Sequence, residues 1–227
     1  MPDLLQERFM NYTGYQLIIF DWDCTLCDSE QRIVSAMQSA IDEIGVGDKE
    51  YDEIKNIIGL GLQEALDELF PGIDSETGEK LVEKYRYHYL VTTKDETHLF
   101  PGVYETLKLL YERGFLLAIA TGKSRRGLNK SLQQSGLKEL FHDSRCADEC
   151  PSKPHPKMLH DIMKNLDIKT EKAVMVGDSE YDLLMAKNAG IASIGVTYGV
   201  HGKDRLLQYN PLFCLDRLSE LKDRMCQ

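Results

Sequence analysis

The chain has 227 residues, 42% hydrophobic and 28% charged, a balance that fits an ordinary globular protein and excludes a fibrous or wholly disordered one. Its 37 acidic residues outnumber 27 basic ones for a formal net charge of −10, so the overall field repels nucleic acid and anionic membrane surfaces. Any anionic ligand must then be held by a local cluster of positive groups.

Residues 1–8 mix Asp3, Glu7 and Arg8 with two leucines and lack both the basic region and the apolar stretch of a signal peptide. No apolar run approaches the roughly 20 residues that cross a membrane. The expected location is cytoplasmic. Of the six cysteines, Cys24 and Cys27 have a spacing that invites a zinc or redox reading, but Cys146 and Cys150 do not repeat it, and reduced, unligated thiols are the plainer expectation.

The first predicted strand is the apolar run 17–20. From about 29 to 96 the only clear pattern is helical: Ile33, Met37, Ile41 and Ile44, then Ile54, Ile57 and Ile58, then Leu62, Leu66, Leu69 and Phe70, and last the stretch 81–90. Beyond it strands and helices alternate. A helix carrying Val103, Leu107 and Leu110 ends at Gly114, the run 115–120 follows, and a helix carrying Leu128 and Leu132 ends at Gly136. Residues 143–147 form a weaker strand pattern, Leu159, Ile162, Met163 and Leu166 a helix, 173–176 a strand, 183–189 a helix stopped by Gly190, and 191–194 a strand. A short strand at 212–215 and a C-terminal helix close the chain. The apolar runs are continuous rather than alternating, which suits strands buried on both faces of a parallel sheet. The expected fold is α/β, a doubly wound parallel sheet with an inserted all-helical cap: residues 1–28 and 97–227 form the core and 29–96 the cap.

In such a sheet ligands bind beyond the carboxyl ends of the strands, where strand order reverses. Asp21 and Asp23 follow the first run, Thr121 the second, and Gly177 and Asp178 the third. In extended backbone Asp21 and Asp23 project to one side and Trp22 to the other, so two carboxylates can share one site, although turn and helix-cap roles also suit Asp.

The segment Asp21-Trp22-Asp23-Cys24-Thr25-Leu26 resembles the first motif of the haloacid dehalogenase-like superfamily. Thr121 in Ala120-Thr121-Gly122-Lys123-Ser124 resembles the second, Lys153 in Ser152-Lys153-Pro154-His155-Pro156 the third, and Gly177-Asp178-Ser179-Glu180-Tyr181-Asp182 the fourth. Within the superfamily the likeness is to phosphoglycolate phosphatase-like proteins with a Rossmann-like core. The resemblance implies a magnesium-dependent phosphatase acting on a small phosphorylated metabolite through an aspartyl-phosphate. Asp21 would be the nucleophile and Asp23 the acid and then the base. Thr121 and Lys153 would hold the phosphoryl group, and Asp21, the Asp23 backbone carbonyl and Asp178 would bind Mg²⁺. Asp182 would hold a metal-bound water or Lys153, or be an ordinary surface residue. Lys123, Arg125 and Arg126 would either help to capture an anion or be solvated at a helix start. Tyr85 and Tyr89 would pack in the insertion or face substrate, and His155 is a weaker catalytic candidate.

Cys24 stands where the family has Gly; a positive φ there would cost about 1 to 3 kcal/mol. Dehalogenases and phosphonate hydrolases of the superfamily lack the second aspartate, so Asp23 argues against both. A sugar phosphomutase keeps all four motifs but carries a basic residue in a cap loop, where Gly59-Leu60-Gly61-Leu62-Gln63-Glu64 has none. Hydrolysis is the favoured reading, with a phosphomutase or a non-catalytic binding protein of the same fold as alternatives.

Overall fold

The computed structural model of the chain describes residues 14–92 and 98–225; the N-terminal segment read above, Cys226 and the expected boundary at 96 and 97 lie outside these. Six strands form one parallel sheet in the order β3-β2-β1-β4-β5-β6. They are β1 (Leu17–Phe20), β2 (Leu116–Thr121), β3 (Asp143–Cys146), β4 (Ala173–Gly177), β5 (Ala192–Val196) and β6 (Cys214–Leu215). β3 and β6 occupy the two weaker strand patterns, β6 only in its last two residues.

Alternate residues of the same strands feed different layers. Ile18, Phe20, Leu117, Ile119, Val174 and Val176 pack on one face against α5 (Val103–Glu112), α6 (Arg125–Ser135) and the C-terminal helix α9 (Leu221–Met225). Leu17, Ile19, Ala118, Ala120, Ala173 and Met175 pack on the other face against α7 (Lys157–Asn165) and α8 (Glu180–Ala189). Burial on both sides is why these strands are apolar throughout rather than in alternation.

Between β1 and α5 the chain forms α1 (Glu30–Ile44), α2 (Tyr51–Asn56), α3 (Leu62–Leu69) and α4 (Ser75–Tyr87), which runs on into a π-helical turn (His88–Thr92). Their apolar stripes meet in a separate cluster that includes Ile33, Met37, Ile41, Ile54, Leu66 and Leu81. α2 stops before Ile57 and Ile58, which the helical spacing had included; they begin the turn that leads through Gly59, at φ 108°, and Gly61, the N-cap of α3.

Candidate active site

β1 is flanked by β2 and β4, and the order reverses there, so the ends of these three strands face one crevice. Asp21 follows β1 and donates its backbone N–H to Val176 of β4 at 2.9 Å. Thr121 is the last residue of β2, and Asp178 follows β4. All three are buried. Trp22 points away into the sheet layer, while Asp21 and Asp23 both line a cavity of about 310 Å³ at the strand ends.

Lys153 organises the carboxylates. Its Nζ, fully buried, lies 2.6 Å from Asp21 Oδ1 and 2.7 Å from Asp182 Oδ1. Asp182 Oδ2 accepts hydrogen bonds from Ser179 Oγ at 2.6 Å and Ser179 N at 3.1 Å, so both its oxygens are engaged. Asp182 is therefore no surface residue but the anchor of Lys153. Asp178 Oδ1 accepts from Thr25 Oγ1 at 2.6 Å and Oδ2 from Val200 N at 2.8 Å. Carboxylate oxygens of Asp21, Asp178 and Asp182 lie within 4.8 Å of one another.

Three buried carboxylates and one lysine leave this cluster short of positive charge. Burial, offset in part by Lys153 and reinforced by Asp182 and Asp178, raises the Asp21 carboxyl well above its ordinary range, and burial followed by Asp182 pushes Asp178 up to about 7. Burial alone would lower Lys153, but Asp182 and Asp21 outweigh it and raise its affinity for the proton. Asp21 Oδ2 is buried with no hydrogen-bond partner among the described residues. An orphaned carboxylate oxygen beside uncompensated negative charge suits a hard, oxygen-seeking dication.

Asp23 has a different environment. Lys123 Nζ meets both its oxygens, at 2.9 and 2.8 Å, and Ser29 Oγ donates to Oδ1 at 2.8 Å. The side chain of Lys123 is 8% exposed and also donates to Tyr89 Oη at 3.0 Å, with the Tyr89 ring centroid 4.7 Å away. Neither expectation for the basic stretch describes Lys123, which serves as the cation on Asp23. Arg125 pairs with Glu149 instead, and Arg126 is exposed. No signal within the segment 121–126 separates these three, because the partner that distinguishes Lys123 lies 100 residues away. Thr121 Oγ1 accepts from Lys123 N at 3.1 Å, which leaves its hydroxyl proton to donate.

The insertion closes the cavity from the other side. Gly61 N donates to Ser152 Oγ at 2.6 Å, and a Cβ on Gly122 would lie 2.7 Å from the Gly59 carbonyl oxygen and closer still to that of Leu60. Glycine at 122 is what permits the loop 59–61 to rest on the second motif. Tyr85 and Tyr89 stack at 5.7 Å and line the cavity as well as packing in the insertion. His155 is exposed, its Nδ1 accepting from Lys157 N at 3.2 Å, and it does not line the cavity. Cys24 and Cys27 are buried free thiols. Cys24 sits at φ 62°, so the left-handed conformation that favours glycine is occupied here by a side chain.

Residues 18–196 match the family model of the haloacid dehalogenase-like hydrolases, and the chain belongs to that family. It is 34% identical over 221 residues to a phosphoglycolate phosphatase of Vibrio parahaemolyticus, covering 93% of this chain and 96% of that one. It is 33% identical over 207 residues to the pyrophosphatase PpaX of Halalkalibacterium halodurans, covering 91% and 94%. Among solved structures, a protein assigned to the haloacid dehalogenase-like hydrolases of Bacteroides fragilis superposes with a TM-score of 0.85 at 27% identity, covering 91% of this chain and 99% of that one.

Proposed function

We propose that the protein is a magnesium-dependent phosphatase that hydrolyses a small phosphomonoester through an aspartyl-phosphate on Asp21. The observation that carries this reading is the buried Asp21 Oδ2, orphaned among the described residues, within a carboxylate cluster that Lys153 alone among them offsets. Phosphatase names among relatives that match over nine-tenths of the chain support the same class. Asp21, the Asp23 backbone carbonyl and Asp178 would hold Mg²⁺, which when bound neutralises charge on the transferring oxygens. Asp182, with both oxygens engaged, holds Lys153 in place.

In this mechanism a carboxylate oxygen of Asp21 attacks phosphorus in line, and the bond to the alcohol oxygen breaks. Asp23 gives its proton to that departing oxygen. Thr121 donates its hydroxyl proton to the phosphoryl group, and Lys153, already on Asp21, supplies positive charge there. Asp23 then takes a proton from water, whose oxygen attacks phosphorus, releases phosphate and restores Asp21. Ser29 keeps Asp23 aimed at the cavity, and Lys123 steadies the carboxylate that Asp23 becomes once its proton has left. The helices between 30 and 92 act as a lid that excludes water from this chemistry. The phosphomutase alternative gains no cation from the loop 59–61, which carries none.

The test is turnover of an aryl phosphate with and without metal. Excess chelator should stop it, and Mg²⁺ should restore it better than Ca²⁺, whose larger and looser shell spoils in-line geometry. Full activity in chelator would sink the proposal. Phosphoglycolate and pyrophosphate, named for the relatives, are the reference compounds against which other small phosphates are scored.

A further inference from the structure

We propose that the cavity beside Asp21 takes a phosphomonoester whose alcohol part is an apolar ring, rather than one that carries a second anionic group. This rests on the phosphatase reading of the same site and narrows it.

The two sides of the cavity differ in chemistry. The strand ends contribute Asp21, Asp23 and Thr121, whereas the wall supplied by the insertion carries Ile33, Met37, Ile57, Ile58, Tyr85 and Tyr89. A second carboxylate or phosphate on the substrate would have to lose its water against that wall, which is heavily penalised unless a cation meets it. Among the described residues that line the cavity the cations are Lys123 and Arg86. An ammonium has three N–H donors, and Lys123 makes three contacts: two to Asp23 and one to Tyr89 Oη. A substrate anion could engage it only by displacing one of them. Arg86 is exposed, where an ion pair stays hydrated and contributes little, and Glu64, of opposite sign, lines the same cavity. An apolar ring meets none of these difficulties. It gains from burial against the aliphatic side chains and from the stacked Tyr85 and Tyr89. A volume of about 310 Å³ lies at the small end of ligand sites, enough for a phosphoryl group with a compact ring.

The test is a binding comparison that does not depend on turnover. Calorimetry on the full chain with Mg²⁺ would use three non-hydrolysable phosphonates: 3-phenylpropylphosphonate, propylphosphonate and 3-phosphonopropionate. The phenyl compound should bind about tenfold or more tighter than either of the others, the scale expected for burying a ring. Affinities within about threefold of one another, or tightest binding by 3-phosphonopropionate, would overturn the proposal. Met37→Ser and Ile57→Ser should each shrink the advantage of the phenyl compound by at least about threefold. An unchanged ratio in both folded variants would put the ring elsewhere and also overturn it; if either variant does not fold, the wild-type comparison still decides. Hydrolysis of 2-phenylethyl phosphate is scored separately: no turnover, with the binding preference intact, would remove the catalytic reading and keep the preference.

Discussion

The strand-end wall of the cavity carries charges held in place: Asp21 lines it and is fixed from behind by buried Lys153 at 2.6 Å, which Asp182 holds in turn at 2.7 Å. The wall supplied by the insertion is mostly aliphatic and aromatic side chains that belong to the insertion's own apolar cluster, with Gln63, Glu64 and Arg86 beside them. Charges in a low-dielectric site act strongly and at fixed places, whereas apolar packing is non-directional and accepts swaps of similar volume more readily. The first wall therefore suits a reaction common to a family, and the second a choice of leaving group that differs between members. The two meet where the loop 59–61 rests on Gly122 and where Tyr89 reaches Lys123.

This contrast can be broken most severely at Asp21. Asp21→Asn should reduce turnover of an aryl phosphate by roughly 10⁴-fold or more, while circular dichroism and the melting profile stay those of a folded protein. Unaltered magnesium-dependent turnover would remove the nucleophile from the mechanism. Asp23→Asn should lower the rate by roughly 10² to 10⁴ for an alkyl ester and by less for an aryl ester, whose leaving group needs less protonation. Equal losses for both esters would take Asp23 out of the acid role.

The junction between the walls is tested by Gly122→Ala. Its added methyl collides with the Gly59 and Leu60 carbonyls, so the loop must move while the core stays folded. A displacement of that size should lower kcat/KM by about 10²-fold on the best small substrate. A variant with full activity would show that the seating of the loop does not matter. The smallest effect belongs to Cys24→Gly. Relief at φ 62° is opposed by the lost burial of the thiol and the freer unfolded chain, so urea denaturation should register a change within about 1 kcal/mol. A clear loss of activity would reveal a role for the Cys24 thiol.

Much of the fold was legible because each strand is a local apolar run and each helix a local periodicity, stopped in several places by glycine. Residues 17–20 and 173–176 needed no knowledge of their neighbours to be read as buried strands, and the acidic and hydroxyl residues after them stood out for the same reason. Less legible was the end of α2, where Ile57 and Ile58 fit the helical spacing but are buried in a turn that Gly59 makes possible. The basic segment after Thr121 was harder still. Its three cations look alike in sequence, yet Lys123 is drawn inward by Asp23 and Arg125 outward by Glu149.

By itself, then, the sequence determined the class of sheet, where its apolar strands fall along the chain and the chemical groups delivered to their ends, since all of these follow from residues close together in the chain. Tertiary structure alone decided which charges meet. Lys153 reaches Asp21 across 132 residues and Lys123 reaches Asp23 across 100, and Asp182 is buried because Lys153 and Ser179 hold both its oxygens. It also decided that the helical insertion turns a largely apolar wall toward the carboxylates. Periodicity shows which stripe of a helix is apolar, but only packing selects the part of that stripe left to line a cavity.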